Sequence, residues 1–451
     1  MAEDYDLLVI GAGMAGITAA NKCAAAGWRV GIVDPLPYGG TCALRGCDPK
    51  KILRRGAEVV DDARLMRGKG VSDSDVAIDW SDLMAHKRGF TETIPPSMEA
   101  QLAGNGVDLF HAAARFTGPD QVEIHGTRHA AKHFLIATGA RPRPLPFPGH
   151  EHVIDSTAFL ELAALPARIV FIGGGFISFE FAHIAARAGA ECVIVDRHER
   201  PLRGFDAELV ERLVERTEAI GVRLLRDADV AEVAAAPSGG FHVAFDQDGE
   251  RSTIDADLVV HGAGRTADVE SLDLAAAQVA WGPRGVQVAP HLQSTSNPRV
   301  YAAGDAADTA GRPLTPVAVA EGKIAASNML NGTTTVPDHT GVPTTVFTVP
   351  ELNRVGMLEH EARADGRDVV VRSLDTSDWY SNYRVGEPTA AVRVLIDRAT
   401  DRILGAHLLG PGYAELINIF GLAMKLGITA RQLKSASMTY PSVGSDLGSM
   451  L

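Results

Sequence analysis

Two glycine-rich phosphate turns, each set between a short apolar strand and a helix, predict an α/β chain with two Rossmann-like dinucleotide-binding domains. A well-patterned helix and alternating strands near the end predict a further α+β domain at the C-terminus. Directly after the first turn lie Cys42 and Cys47, a close pair in a cysteine-poor chain.

The bulk numbers narrow the field. At 451 residues the chain exceeds one ordinary core, so several domains are expected. A formal charge of −13 argues against nucleic acid, which needs a basic face. No stretch approaches the roughly 20 apolar residues of a membrane helix. The acidic start, Met1-Ala2-Glu3-Asp4-Tyr5-Asp6, leads into a strand and is not a secretory signal, so the cytoplasm is the expected compartment.

Tyr5 to Ile10 is an apolar run suited to a buried parallel strand. Gly11-Ala12-Gly13-Met14-Ala15-Gly16 follows, then a helix over 17–26, a strand over 28–33, and Asp34. Gly11 permits the tight turn, Gly13 lets backbone approach a pyrophosphate, and Gly16 lets helix and strand pack closely. Asp34 can bond a ribose hydroxyl.

The stretch from Gly39 to Lys51 comes next. Asp48-Pro49 reads as N-cap and first helical position, which puts Cys47 at a helix N-terminus, where the dipole stabilises a thiolate. Cys23 and Cys192 read as plain core residues, and no second close pair exists to complete a four-cysteine zinc site. From Ile78 a polar helix is expected to break at Pro95-Pro96, followed by short strands over 107–136. Pro142 to Gly149 is a stiff linker.

A second unit begins past that linker. Arg168 to Ile172 is a strand, Gly173-Gly174-Gly175 the phosphate turn, 179–188 a helix, and Glu191 to Val195 the next strand. Two dinucleotide units imply two nucleotides and electron transfer between them. Asp196 favours the free ribose hydroxyl of NAD, whereas Arg197, His198, Arg200 and Arg203 suit the 2′-phosphate of NADP; the balance leans to NADPH. Val300 to Asp305 is a further strand ending in Gly-Asp, a helix spans 317–330, and two helices are expected in the last segment, one at 413–425.

At this point the chain resembles the flavin-dependent pyridine nucleotide–disulfide oxidoreductases of the glutathione reductase, dihydrolipoamide dehydrogenase and mercuric reductase type. The resemblance spans essentially the whole length. It rests on the first glycine turn with Asp34, Gly39-Gly40-Thr41-Cys42 with Cys47, Pro49 and Lys50, Ala137-Thr138-Gly139, and the second glycine turn with Glu180. Gly264-Arg265, Ala303-Gly304-Asp305, Leu314-Thr315-Pro316 and Val346 to Glu351 complete it.

The resemblance implies an FAD-binding domain in two parts, 1–149 and 267–336, an NAD(P)H-binding domain over 150–266, and a dimerisation domain over 337–451, hence a homodimer. Gly11, Gly13, Gly16, Asp34, Gly40, Thr41, Thr138, Gly139 and Asp305 would hold FAD. Gly173, Gly175, Phe176, Arg197, Arg203, Gly264 and Arg265 would hold NADPH or NADH, with Phe176 covering the flavin until nicotinamide enters. Cys42 and Cys47 would form a redox-active disulfide, Cys47 nearest the flavin and Cys42 exchanging with substrate, while Lys50 and Glu180 pair beside the flavin. No resident metal is implied.

One departure stands out. The family's C-terminal His-Pro-Thr followed by Glu is here Tyr440-Pro441-Ser442 followed by Ser445-Asp446, so the usual base for the outer thiol is replaced by a phenol. Mercuric reductases resemble this chain in having Tyr there, but carry a C-terminal cysteine pair that this chain lacks. The expected acceptor is a small disulfide; the alternatives are a metal ion such as Hg(II), a quinone, reversed flow from a dihydrolipoamide-type dithiol to NAD, or a low-turnover flavin sensor.

Overall fold

The structure, a computed structural model, describes residues 4–72 and 75–451. Met1, Ala2 and Glu3 of the acidic start lie outside the described residues. The chain divides into two compact units: Met1–Pro49, His86–Arg143 and Arg265–His339 form the first; Lys50–Ala85, Pro144–Gly264 and Thr340–Leu451 form the second.

The first unit is built on a seven-stranded sheet. Strand Tyr5–Ile10 pairs in parallel with Val30–Val33 on one side and Thr127–Ile136 on the other. Asp108–Phe110 extends one edge, Val300–Ala302 adds to Thr127–Ile136 in parallel, and Gln121–Ile124 and Ala114–Gly118 continue antiparallel. The central strands are buried on both faces, as parallel strands under helices must be. Helices Met14–Ala25 and Thr315–Asn331 pack on one face through Ala15, Ala19, Ala325 and Ala326. Their small residues allow close approach: a Cβ at Gly322 would lie 2.4 Å from the Ala15 carbonyl oxygen.

The second unit holds a four-stranded parallel sheet, in the order Val222–Leu225, Glu191–Val195, Arg168–Ile172, Leu258–His261. A three-stranded antiparallel meander, 228–256, accompanies it. A five-stranded antiparallel sheet, 344–410, carries helix Tyr413–Leu426 on one face through Leu416, Ile417 and Phe420.

Several local expectations shift. The helix after the cysteines starts at Cys47 and runs to Leu65, so Asp48 and Pro49 lie inside its first turn; proline is tolerated there because that turn's N–H groups have no intrahelical acceptor. Thr41–Arg45 forms one π-helical turn. Pro95-Pro96 opens helix Ile94–Gly104, separate from Trp80–Thr91, instead of ending one. The last segment holds five α-helical stretches instead of two, four of them six residues or shorter. Residues 50–85, in the stretch read as the first domain, group with the second unit because Leu53, Ala57, Trp80 and Met84 share a core with Phe159, Phe179 and Ile184.

Candidate active site

In the first unit the phosphate turn is pinned from three sides. Gly11 has φ +107°, and a Cβ there would lie 2.4 Å from the Ala137 carbonyl oxygen. A Cβ at Gly16 would lie 2.0 Å from the Gly11 carbonyl oxygen, so helix and turn touch backbone to backbone. Asp34 accepts from the Ala12 N–H at 2.8 Å and the Leu36 N–H at 2.9 Å, fixing its carboxylate across the turn. Helix Met14–Ala25 begins at Gly13 with no side-chain cap, leaving its first N–H groups for an anion.

The cysteine stretch leans on this turn. Gly40, at φ +67°, comes so close that a Cβ would stand 2.6 Å from Gly13 Cα. Cys42 is half-buried and Cys47 exposed. Thr41 is exposed beside them. A hydrogen bond to Cys47 and burial push the Cys42 thiol well up, which leaves Cys47 the sulfur better placed to carry charge. Cys47 opens its own helix, and its Sγ lies 3.9 Å from the hydroxyl of Thr315, the first residue of helix Thr315–Asn331. Two helix N-termini thus meet at this sulfur, a setting that favours a thiolate.

Thr138 Oγ1 is buried with no partner among the described residues, and Gly139 turns at φ +75°. Burial raises the Asp305 carboxyl, opposed by the charge of Arg265. An orphaned hydroxyl, an uncapped helix start and a glycine cradle fit a dinucleotide such as FAD, with Gly11, Gly13, Gly16, Asp34, Gly40, Thr41, Thr138, Gly139 and Asp305 available to hold it.

In the second unit, Glu180 on helix Phe176–Arg187 is fully buried. Its Oε2 accepts from Lys50 Nζ at 3.0 Å and Lys51 Nζ at 2.9 Å. Burial pushes this carboxyl up, but the two ammonium groups outweigh it and hold it at about 2. Lys50 Nζ also stands 4.9 Å from the ring centroid of Phe176, which is 47% exposed at the start of the helix. Lys51, which the sequence reading passed over, lies 3.7 Å from the Phe347 ring centroid; a second basic residue beside Lys50 was its only signal. Nothing in Leu314-Thr315-Pro316 signals the approach of Thr315 to Cys47.

The second phosphate turn repeats the geometry of the first. Gly173 has φ +100°, and a Cβ there would lie 2.7 Å from the Gly262 carbonyl oxygen; Gly175 precedes the helix without a side-chain cap. Asp196 is buried, 3.2 Å from His198 Nδ1, and a Cβ at Gly174 would lie 2.1 Å from its Oδ2. Arg197 and Arg203 are exposed. Gly264, at φ +102°, ends this unit. Arg265 falls in the first unit.

Tyr440 is 77% exposed. Asp446 accepts from Ser381, and Ser445 Oγ donates to the Ser442 carbonyl at 2.6 Å, so neither is committed to Tyr440. His407, the last histidine, is buried in strand Ile403–Gly410 with Nε2 on the Met357 carbonyl at 2.9 Å; burial lowers it to about 4.

The family model described as pyridine nucleotide-disulphide oxidoreductase matches residues 5–322, and that family's dimerisation domain matches 342–450. The chain belongs to this family of enzymes. It is similar to a glutathione reductase of Burkholderia cepacia, 31% identical over 98% of this chain and 97% of the relative. It is similar to a mercuric reductase of Lysinibacillus sphaericus, 30% identical over 99% of this chain and 82% of the relative. A solved structure, the Cu(II) complex of the HOCl-induced flavoprotein disulfide reductase RclA from Escherichia coli, superposes with TM-score 0.88 and 27% identity, covering 100% of this chain and 99% of that one. The oxidoreductase carries a dimerisation domain, and among the described residues no helix is long and apolar enough to cross a membrane. Relatives with different acceptors match about equally well, so overall identity does not select one.

Proposed function

We propose that this flavoprotein oxidoreductase takes electrons from NAD(P)H through FAD to the Cys42–Cys47 pair, and that the pair reduces a small-molecule disulfide. The balance is NAD(P)H, a proton and one disulfide giving NAD(P)+ and two thiols. FAD supplies the two-electron relay when bound at the first glycine turn, with Asp34, Thr138 and Asp305 among its contacts. Cys47 is the inner thiol and Cys42 the exchanging one. The observation that carries this reading is the placement of the pair: Cys47 opens helix Cys47–Leu65 with its Sγ 3.9 Å from the Thr315 hydroxyl at the start of a second helix, while a hydrogen bond to Cys47 and burial raise the Cys42 thiol. Lys50 and Glu180 are the ion pair that supports the hydride step. NADPH is the preferred donor, because Arg197 and Arg203 are exposed cations and one oxygen of Asp196 faces His198. The dimerisation domain supports a homodimer.

A metal-ion acceptor is the second reading, favoured by the C-terminus. Cleaving a disulfide needs an acid for the leaving thiolate, and oxidising a dithiol needs a base. Tyr440 is exposed, and His407 is buried in a strand. A soft metal ion needs only the two thiolates as ligands. An exposed phenol and a buried histidine in place of a base also favour reductive flow.

One experiment on the holoenzyme separates these readings. NADPH oxidation is followed with small disulfides, quinones, Hg(II) and Cu(II), beside anaerobic spectra of Cys42→Ser and Cys47→Ser. The expected result is a long-wavelength thiolate–flavin band that survives Cys42→Ser and vanishes in Cys47→Ser, with turnover fastest on a disulfide. A band retained in Cys47→Ser would sink the assignment of the pair. Turnover confined to metal ions would replace the first acceptor by the second.

A further inference from the structure

Helix Phe176–Arg187 carries a polar stripe on a buried face. His183 and Arg187 follow Glu180 at the spacing of one helix side, and all three are buried. Glu180 takes Lys50 and Lys51, whereas His183 and Arg187 take the backbone of Val349. The Val349 N–H donates to His183 Nδ1 at 3.2 Å, and the Val349 carbonyl accepts from Arg187 Nη2 at 2.8 Å. On the other side of the ring, His183 Nε2 lies 2.9 Å from Thr217 Oγ1 on helix Ala207–Ala219. The Thr217 hydroxyl already donates to the Leu213 carbonyl at 2.7 Å, so its oxygen is left to accept. Nε2 therefore carries the ring proton. Nδ1, which faces the Val349 N–H and Arg187 Nη1, each at 3.2 Å, carries none. Burial, with the charges of Arg187 and Arg216, keeps the ring from taking a second proton.

Val349 follows closely on Phe347, whose ring centroid lies 3.7 Å from Lys51 Nζ. Lys51 in turn shares Glu180 Oε2 with Lys50. We propose that His183, as the neutral Nε2–H tautomer, is a positioning residue for the hydride step: by fixing Val349 it sets the Phe347 ring against Lys51, and so sets how one oxygen of Glu180 is divided between Lys51 and Lys50. The inference rests on the reading that Lys50 and Glu180 support that step. An ammonium held against an aromatic face depends on where the ring stands, because the attraction comes from the charge distribution of the ring. Anchoring both the N–H and the carbonyl of Val349 to the helix that bears Glu180 ties the ring to the carboxylate it serves.

The test uses the holoenzyme and stopped-flow rates for its two half-reactions: flavin reduction by NADPH, and reoxidation by a small disulfide, or by Hg(II) if no disulfide turns over. His183→Phe keeps a ring and loses both hydrogen bonds. Flavin reduction is expected to slow about tenfold, the scale of one buried hydrogen bond, with reoxidation within about twofold of wild type. His183→Asn returns an acceptor to the Val349 N–H and should recover most of the rate. Thr217→Val removes the acceptor of the Nε2 proton and should slow flavin reduction about threefold; it carries the test if His183→Phe does not fold. A second readout is independent of turnover: in nitrogen-15 spectra of histidine-labelled enzyme, the signal lost in His183→Phe should show Nε2 protonated and Nδ1 bare from about pH 5 to 8. A protonated Nδ1, or a ring that titrates in that range, overturns the tautomer. Flavin reduction at the wild-type rate in His183→Phe, or equal slowing of both half-reactions, overturns the positioning role. Glu180→Gln is measured alongside. If it reduces flavin as fast as wild type, the reading of the ion pair fails, and the route through Lys51 with it; if it slows flavin while His183→Phe does not, only the role of His183 fails.

Discussion

At Tyr440 and at the arginines after Asp196, single substitutions test the proposed chemistry. A phenol can donate one hydrogen bond to a leaving thiolate but is a poor base at neutral pH. Tyr440→Phe is expected to slow acceptor turnover about fivefold, the value of one hydrogen bond, and to leave the rate of flavin reduction unchanged. Stopped-flow measurement of both half-reactions checks this, and equal turnover would remove Tyr440 from the mechanism. Arg197→Ala with Arg203→Ala should raise KM for NADPH at least about tenfold while that for NADH moves little, since only NADPH carries the 2′-phosphate. Parallel changes would make both arginines solvated surface charge. The pairing of Lys50 with Glu180 was legible because each sits in a recognisable motif. Lys51 was not: its meaning depends on Glu180, more than a hundred positions away, accepting two ammonium groups on one oxygen.

At the scale of elements, helices Cys47–Leu65 and Phe176–Arg187 are clamped twice within the second unit. Lys50 and Lys51 hold Glu180 near one end, and Asp61 holds the buried Arg187 at 2.9 Å near the other. Arg216 of helix Ala207–Ala219 joins Asp61 at 2.8 Å and Glu387 at 3.3 Å, tying a third helix to the same point. Glu180 has its carboxyl depressed from the ordinary 4.5 to about 2. Its stabilisation is therefore complete above pH 4.5 and lost as pH falls through about 2, a contribution of about 3 kcal/mol. Glu180→Gln should lower stability at neutral pH and flatten the loss between about pH 4.5 and 2. Urea unfolding across that range checks it; identical acid slopes would remove the clamp's charge from the account. Both glycine turns and their strands were legible because apolar runs, glycine spacing and a following helix all agree. Short helices such as Tyr380–Tyr383 were not, since four residues give no periodicity to read. The Pro95-Pro96 pair misled for a related reason: proline ends one helix and starts another equally well.

For the whole molecule, the C-terminal segment leaves apolar side chains in the open. Leu422 and Leu426, one turn apart on helix Tyr413–Leu426, are 57% and 65% exposed in the single chain. Such pairs on a dimerisation domain are expected to be covered by a second copy. Light scattering should give twice the chain mass of 47.7 kDa, and Leu422→Asp with Leu426→Asp should bring it to the single-chain value. A wild-type protein that scatters as one chain would refute the homodimer. The α/β class and the C-terminal dimerisation domain were legible, while the return of the chain to the first unit at Arg265 was not: nothing in Gly264-Arg265 says which sheet the next strand will join. The contact of Gly40 with Gly13 bears on how this protein can be re-engineered. Because a side chain at position 40 would strike the backbone of the nucleotide turn, a cysteine loop transplanted from a relative must bring its glycine along. The thiol segment and the glycine turn thus have to be varied together, because the backbone of one sets the side-chain room of the other.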